Sequence, residues 1–383
     1  MKGKITLTIL AISMIAALLL SACAAPATPT AAPVKVEPTA APTVAPTEAK
    51  PCLIIGALYV GPVTDAGYNQ AMHDGLMEVQ KNIACVKTIE VENVYEGPAA
   101  ETVMENMIAQ GATLIFPTSF GHQEPAFNVS KKHPDVIFEH AGGYMMSANF
   151  ANFYGKPPET WYLMGVAAGL MTKSNKLGFV AAMPLAWTLV FINSFELGAQ
   201  SVNPKAETIV TYTYNWSDKA KEAAATDALI AQGVDVVTMH VDAPGTVIQT
   251  AEAKGVYSIG FQSLAAQKFA PKYWISGAGF TLGGTMTFLA SSVMDKTWKP
   301  IFLRCGLADK CMAIAPFGPN VPLEVKDKVN LVMADLISGK LILFTGPVVD
   351  QAGKIRVEAG KALTDEEMNN VDWFVKGVTG SPK

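Results

Sequence analysis

Of the 383 residues, half are hydrophobic and 16% charged, so the chain has material for a large core and is not a disordered body. A formal net charge of −4 excludes nucleic acid as a partner, because phosphate binding needs a basic surface. The only long apolar run is at the start, which leaves the rest as a soluble body.

That run opens the chain. Lys2 and Lys4 precede an uncharged apolar stretch from Ile5 to Leu20, and Leu20-Ser21-Ala22-Cys23 closes it. A basic start, an apolar middle and small residues before a cut are the layout of a secretory signal. A cysteine directly after the small residues is the added mark of a bacterial lipoprotein signal over residues 1–22. Cys23 is then the acylated first residue of the mature chain, held at the cell membrane and facing the periplasm or extracellular space. The competing readings are an ordinary signal peptide with a chance cysteine, or an uncleaved anchor. Residues 23–50 are built mainly from Ala, Pro, Thr and Val, with Pro26, Pro29, Pro33, Pro38, Pro42 and Pro46. With few large apolar side chains to bury, this stretch reads as a semi-stiff tether.

Residues 51–383 exceed a typical single core and predict two domains. Strand-like runs are expected at 53–60, 86–91, 112–117, 135–139, 176–182, 207–214, 234–240, 257–261 and 273–277. Helical patterns fall between them, at 68–81, 98–110, 124–132, 160–172, 188–201, 217–232, 244–254 and 282–296. Gly111, Gly198 and Gly233 stand where left-handed helix stops are expected, and Ser217-Asp218 offers an N-cap. The alternation predicts an α/β chain with parallel sheets and helices on both faces. Tyr154-Gly155-Lys156-Pro157-Pro158-Glu159 separates two such sets, giving two doubly wound lobes with a cleft between them.

Four cysteines remain in the body. Cys52 and Cys85 each begin a strand-like run, so neighbouring parallel strands set them side by side. Cys305 and Cys311 bracket a short loop. The pairs 52–85 and 305–311 are therefore expected in an oxidising compartment, against the alternative of four buried thiols. No CxxC and no His at ligand spacing is present, so no metal or other cofactor is expected.

Ligands of doubly wound sheets bind beyond the carboxyl ends of the strands. Those ends carry Thr64 to Gln70, Thr118-Ser119-Phe120, Glu139-His140, Pro184 to Trp187, His240-Val241-Asp242 and Gln262-Ser263. Aromatic platforms with single polar groups suit a flat polar heterocycle or a sugar. An amino-acid ligand would want an arginine for its carboxylate, and these segments contain none. No nucleophile elbow, zinc-protease or Walker motif appears. Gly277 to Gly283 only approximates a dinucleotide fingerprint and reads as a hinge or turn. Glu139 and His140, adjacent on a strand, point to opposite faces and cannot act as one acid–base pair. No enzyme is expected.

The chain resembles the basic membrane lipoprotein family of solute-binding proteins for ABC importers, related to nucleoside-binding lipoproteins. The likeness rests on Asp65-Ala66-Gly67-Tyr68-Asn69, Pro117-Thr118-Ser119-Phe120-Gly121, Phe138-Glu139-His140-Ala141, Gly198 to Pro204 and Ala231 to Val236, with the tail Phe344-Thr345-Gly346-Pro347 and Val371 to Val378. It implies a type I periplasmic-binding-protein fold, two Rossmann-like lobes closing around ligand. The lobes would be 51–152 plus about 278–312, and 153–277 plus about 313–383 with the hinge segments. Relatives clamp a base between aromatic rings, which implies Tyr68 from the first lobe and Trp187 from the second, unless either ring is core packing. Asp65, Asn69, Ser119, Phe120, Glu139, His240, Asp242, Gln262 and Phe280 complete the candidate set.

Relatives usually carry an acid in the segment that is here Phe261-Gln262-Ser263, where it holds ribose hydroxyls. Its absence favours a free base, or some different ligand, over a nucleoside. The resembled branch also carries tryptophan where Phe280 stands. The implied protein is a monomer that captures a purine-like molecule and delivers it to an ABC permease and ATPase. The alternatives are a sugar or nucleoside as ligand, or a sensor for a membrane receptor.

Overall fold

The computed structural model describes residues 51–383; the signal, Cys23 and tether lie outside the described residues. The chain begins with β1 (Leu53–Leu58), α1 (Tyr68–Asn82), β2 (Val86–Val91), α2 (Pro98–Ala109), β3 (Leu114–Pro117), α3 (Gln123–Lys132), β4 (Ile137–Ala141) and β5 (Phe150–Gly155). Then come α4 (Pro157–Met171), β6 (Lys176–Ala181), α5 (Ala186–Gln200), β7 (Glu207–Tyr212), α6 (Lys219–Ala231), β8 (Val236–His240), α7 (Gly245–Ala253), β9 (Tyr257–Gln262) and β10 (Trp274–Phe280). The remainder holds α8 (Gly283–Met294), β11 (Phe302–Cys305), β12 (Met312–Ile314), α9 (Leu323–Ile337), β13 (Val348–Val349), β14 (Ile355–Val357), α10 (Asp365–Met368) and β15 (Val378–Thr379).

Two sheets result. The first has the order β11-β5-β4-β3-β1-β2 and the second β12-β10-β9-β8-β6-β7-β15, while β13 and β14 form a separate antiparallel hairpin. Every pairing in the two large sheets is parallel except β12 on β10. Central strands such as β3 (LIFP) and β8 (VVTMH) are buried at every residue, which is why they read as nearly unbroken apolar runs. The chain passes from the first sheet to the second after β5, returns after β10 so that α8 packs on α1, and crosses again between β11 and β12. Trp161 on α4 anchors the second lobe's core, against Phe179, Phe191, Phe195 and Phe261.

Several local expectations are met. Gly111 and Gly233 adopt φ of +94° and +88°, and the Asp218 carboxylate accepts from Lys221 N at 3.1 Å to cap α6. Both cysteine pairs are joined, Cys52–Cys85 and Cys305–Cys311. The first follows from parallel register, since Leu53 lies opposite Val86.

Others need correction. Gly198 is not a helix stop but lies inside α5, where a Cβ would run into the Tyr162 carbonyl of α4. Gly165 on α4 is equally constrained by the Phe195 carbonyl, so these glycines let the two helices approach closely. The stretch around Tyr154 is the end of β5, which escaped notice because FANFYG holds no β-branched residue. No element was expected beyond residue 296. Yet α9 buries Val325, Val329 and Val332, a spacing that signals an amphipathic helix. Among the described residues no helix is long and apolar enough to cross a membrane.

Candidate functional site

A cavity of about 1540 Å³ opens where the carboxyl ends of the two sheets face each other. From the first lobe it is lined by Asp65, Tyr68, Asn69, Ser119 and Phe120; from the second, by Trp187, His240, Asp242 and Gln262. Each sits just beyond a strand, because the parallel alternation sends every βα turn to the same end of its sheet.

The Asp65–Asn69 turn is self-contained. Asp65 accepts from Gly67 N, Asn69 N and Gln70 N at 2.7, 3.1 and 3.1 Å, so its carboxylate meets the free amides at the start of α1. Its Oδ2 also accepts from Asn69 Nδ2 at 2.8 Å, while Asn69 Oδ1 accepts from Gly61 N at 3.2 Å. Ser119 donates its hydroxyl to Glu96 at 2.7 Å. These three side chains therefore shape the cleft wall with most of their hydrogen-bonding capacity turned inward. Tyr68 donates its hydroxyl to the Thr118 carbonyl at 2.5 Å, and its backbone N–H reaches across to the Asp242 carbonyl at 3.2 Å. Gly67 lies against the same carbonyl, leaving no room for a Cβ. The lobes are in contact here.

The second lobe offers groups without protein partners. Gln262 is 2% exposed, has φ +79° and donates Nε2 to the Val241 carbonyl at 2.8 Å, while its Oε1 has no partner. Since a carbonyl only accepts, this bond fixes which way the amide points. A non-glycine residue in the left-handed region costs of order 1–3 kcal/mol and is maintained by its surroundings, a pattern common at ligand sites. Asp242 is pushed up to about 7, first by burial and then by the charges of Asp65 and Glu96. His240 is lowered to about 3 by burial and is neutral, its Nδ1 3.2 Å from Thr188 Oγ1.

Aromatic rings enclose the space. Trp187 meets Phe120 across the cleft at 5.0 Å between ring centroids, tilted by 56°. Tyr68 lines the same cavity, and its ring packs edge-on against Phe280 at 6.1 Å. Phe280 itself is a layer behind the wall, against Tyr68, Tyr154 and Phe261, and does not line the main cavity. Glu139 is also displaced from the expected set. It does not line the cavity and accepts from Trp298 Nε1 at 2.6 Å, while strand alternation turns its neighbour His140 to the opposite face, where Nε2 is 2.8 Å from the Ser119 carbonyl.

Among the cleft residues that were missed are Tyr154, Trp216, Glu96 and Arg304. Tyr154 was lost with β5, whereas Trp216 follows β7 and could have been found by extending the strand-end rule to that turn. Glu96 enters because it bonds Ser119 and the Gly121 N–H, 23 and 25 residues away. The strand-end segments contain no arginine, but Arg304 lines the cavity from outside them. It comes from the unforeseen β11, pairs in register with Tyr154, and lies over the Phe302 ring at 4.5 Å.

Comparison with known proteins adds to this geometry. A family described as "ABC transporter substrate-binding protein PnrA-like" matches residues 53–339. A purine-binding protein of Brucella abortus is 36% identical over 327 residues, covering 85% of this chain and 93% of that protein. A protein of Haloferax volcanii named as an ABC transporter glucose-binding protein is 30% identical over 330 residues, covering 84% and 79%. Among solved structures, a solute-binding protein of an ABC transporter system from Conexibacter woesei superposes with a TM-score of 0.65 at 22% identity, covering 76% of this chain and 98% of that one. This last likeness concerns the fold, two Rossmann-like lobes of the type I periplasmic-binding kind.

Proposed function

Because the chain belongs to the PnrA-like family of ABC transporter substrate-binding proteins, we propose that its cleft captures a purine nucleobase or a similar flat heterocycle. The family role sets the frame: the protein works outside the cytoplasm, binds a small molecule and hands it to a permease driven by an ATPase. The observation that carries the ligand class is one cavity with aromatic faces (Trp187, Phe120) beside the unpartnered Gln262 Oε1 and the Asp242 carboxyl. Rings cover the faces of a flat ligand, and the polar groups meet its edge. The name of the Brucella relative supports the same class.

Residues 1–23 supply the attachment in this reading. Signal cleavage before Cys23 and acylation of its thiol tether the body to the membrane through residues 24–50. The lobes are 51–152 with about 278–312, and 153–277 with about 313–383. The protein acts as a monomer, and no cleft group is assigned a chemical step.

A sugar is the second reading, favoured by the Haloferax relative and by the same acceptors, which hydroxyls could also satisfy. Mass spectrometry of small molecules released on denaturing the purified protein tests the two. A released purine supports the heterocycle. A released hexose, or a nucleoside with its ribose, refutes it.

A further inference from the structure

The cavity is larger than one flat ring needs. Its volume of about 1540 Å³ exceeds the roughly 300–1,000 Å³ usual for small-molecule sites. Part of its wall lies away from the aromatic cleft, on β11, the end of α9 and α10. β11 is the outer edge of the first sheet, three strands from β3 and four from β1. At about 4.8 Å per strand, Arg304 stands roughly 14 Å across the sheet from the strand leading to Ser119 and Phe120. Tyr154 stands between, paired in register with Arg304, and its hydroxyl feels the charges of both Asp242 and Arg304.

This outer arm has apolar walls and an uncommitted cation. Leu336, Leu341, Leu343, Leu363 and Met368 are partly buried around it. Its other charged groups are engaged: Lys156 pairs with Asp365 at 3.4 Å, and Glu159 accepts from Leu307 N at 2.7 Å. Arg304 has no ion pair among the described residues. Its guanidinium lies over the Phe302 ring at 4.5 Å and donates only to the neutral Asn369 amide, Nη2 to Oδ1 at 3.4 Å. The 29 basic residues of the chain include just two arginines, and the other, Arg356, is bound to Asp350 at 2.6 Å. A guanidinium presents a planar fork that matches a carboxylate, where lysine offers a point charge. We propose that this arm is a second binding site, separate from the heterocycle cleft, for a carboxylate carried on an apolar body. Arg304 holds the acid group, while the leucines and Met368 cover the body. Stacking on Phe302 keeps the fork in place, so less ordering is lost when the acid arrives. The proposal does not depend on which molecule fills the cleft.

4-Phenylbutyrate and its uncharged amide share one shape and differ in the acid group. Isothermal titration calorimetry of each into the purified protein reads the site. The acid should bind at millimolar concentration or below, and the amide at least roughly 10-fold more weakly, as expected for hydrogen bonds to a charged group. Arg304→Gln should erase that preference. Arg304→Lys, which keeps the charge but not the fork, should retain only part of it. Trp187→Ala, which disturbs the distant cleft, should leave the affinity for the acid within about twofold. Equal affinity for acid and amide, or no binding of the acid, overturns the proposal, and so does a preference that survives Arg304→Gln. A loss with Trp187→Ala as large as that with Arg304→Gln puts the acid in the cleft and removes the second site. Binding of a purine, or its failure, bears on the heterocycle reading alone.

Discussion

Replacing Gly67 by alanine tests how the lobes close. Gly67 has φ −133°, so backbone handedness does not demand glycine; the space does. A Cβ there would sit 2.7 Å from Pro244 Cδ and closer still to the Asp242 carbonyl oxygen. Relieving that contact means parting the lobes, which also breaks the Tyr68 N–H to Asp242 bond of 3.2 Å. The lost bond costs about 0.5–1.5 kcal/mol, and overpacking at a closely fitted contact typically costs about 1–3 kcal/mol. The penalty falls on the closed state alone, and an apparent Kd rises in inverse proportion to the closed population. At about 1.4 kcal/mol per decade, Gly67→Ala should bind roughly 10- to 1,000-fold more weakly. Small-angle scattering should show less compaction on adding ligand, while the thermal midpoint of the ligand-free protein stays put. Affinity within twofold of wild type, with the same compaction, would refute closure through this contact.

Glu139 gives a pH prediction. Burial raises its carboxyl from 4.5 to about 8, against the smaller opposing effect of the Trp298 bond. A group raised in the folded state favours folding fully below its unfolded pKa, and that contribution is lost as pH climbs through the folded pKa. Between about pH 4.5 and 8 the protein should therefore lose stability, at about 1.4 kcal/mol per unit for this group. Glu139→Gln should flatten the slope of denaturant midpoint against pH and stabilise by on the order of 3 kcal/mol at pH 7; an unchanged slope would exclude a protonated Glu139. Trp187→Ala removes the ring that meets Phe120 and should weaken ligand binding at least about 10-fold by calorimetry, and an unaffected Kd would make Trp187 mere packing. Replacing Cys52 and Cys85 by serine opens a loop of sequence separation 33, for which chain entropy predicts a loss of about 3–4 kcal/mol in urea unfolding. A loss below ~1 kcal/mol would mean that β1–β2 pairing already restrains the unfolded ends.

How much the sequence determined follows from the range of the forces involved. Alternation of apolar runs and amphipathic stretches fixes strands and helices locally, so β1 to β4, β6 to β10 and α1 to α8 were legible with their parallel order. Parallel order then places every turn at one end, so Asp65, Tyr68, Ser119, Trp187, His240, Asp242 and Gln262 could be named as cleft residues before any coordinates. The cysteine pair at the starts of β1 and β2 followed from the same register.

What each of those residues does there was decided only by tertiary structure. Whether a polar side chain is free for a ligand depends on partners far along the chain: Asn69 is occupied by Gly61 and Asp65 and Ser119 by Glu96, whereas Gln262 keeps an empty acceptor. Glu139 and Phe280 left the cleft because strand pleat and core packing turned them elsewhere, while β11 brought in Arg304 from about 150 residues beyond its neighbour Tyr154. Local pattern determines which elements form and where their ends point. The contacts that make a site arise between segments distant in sequence, whose meeting is fixed by the closure of two packed lobes.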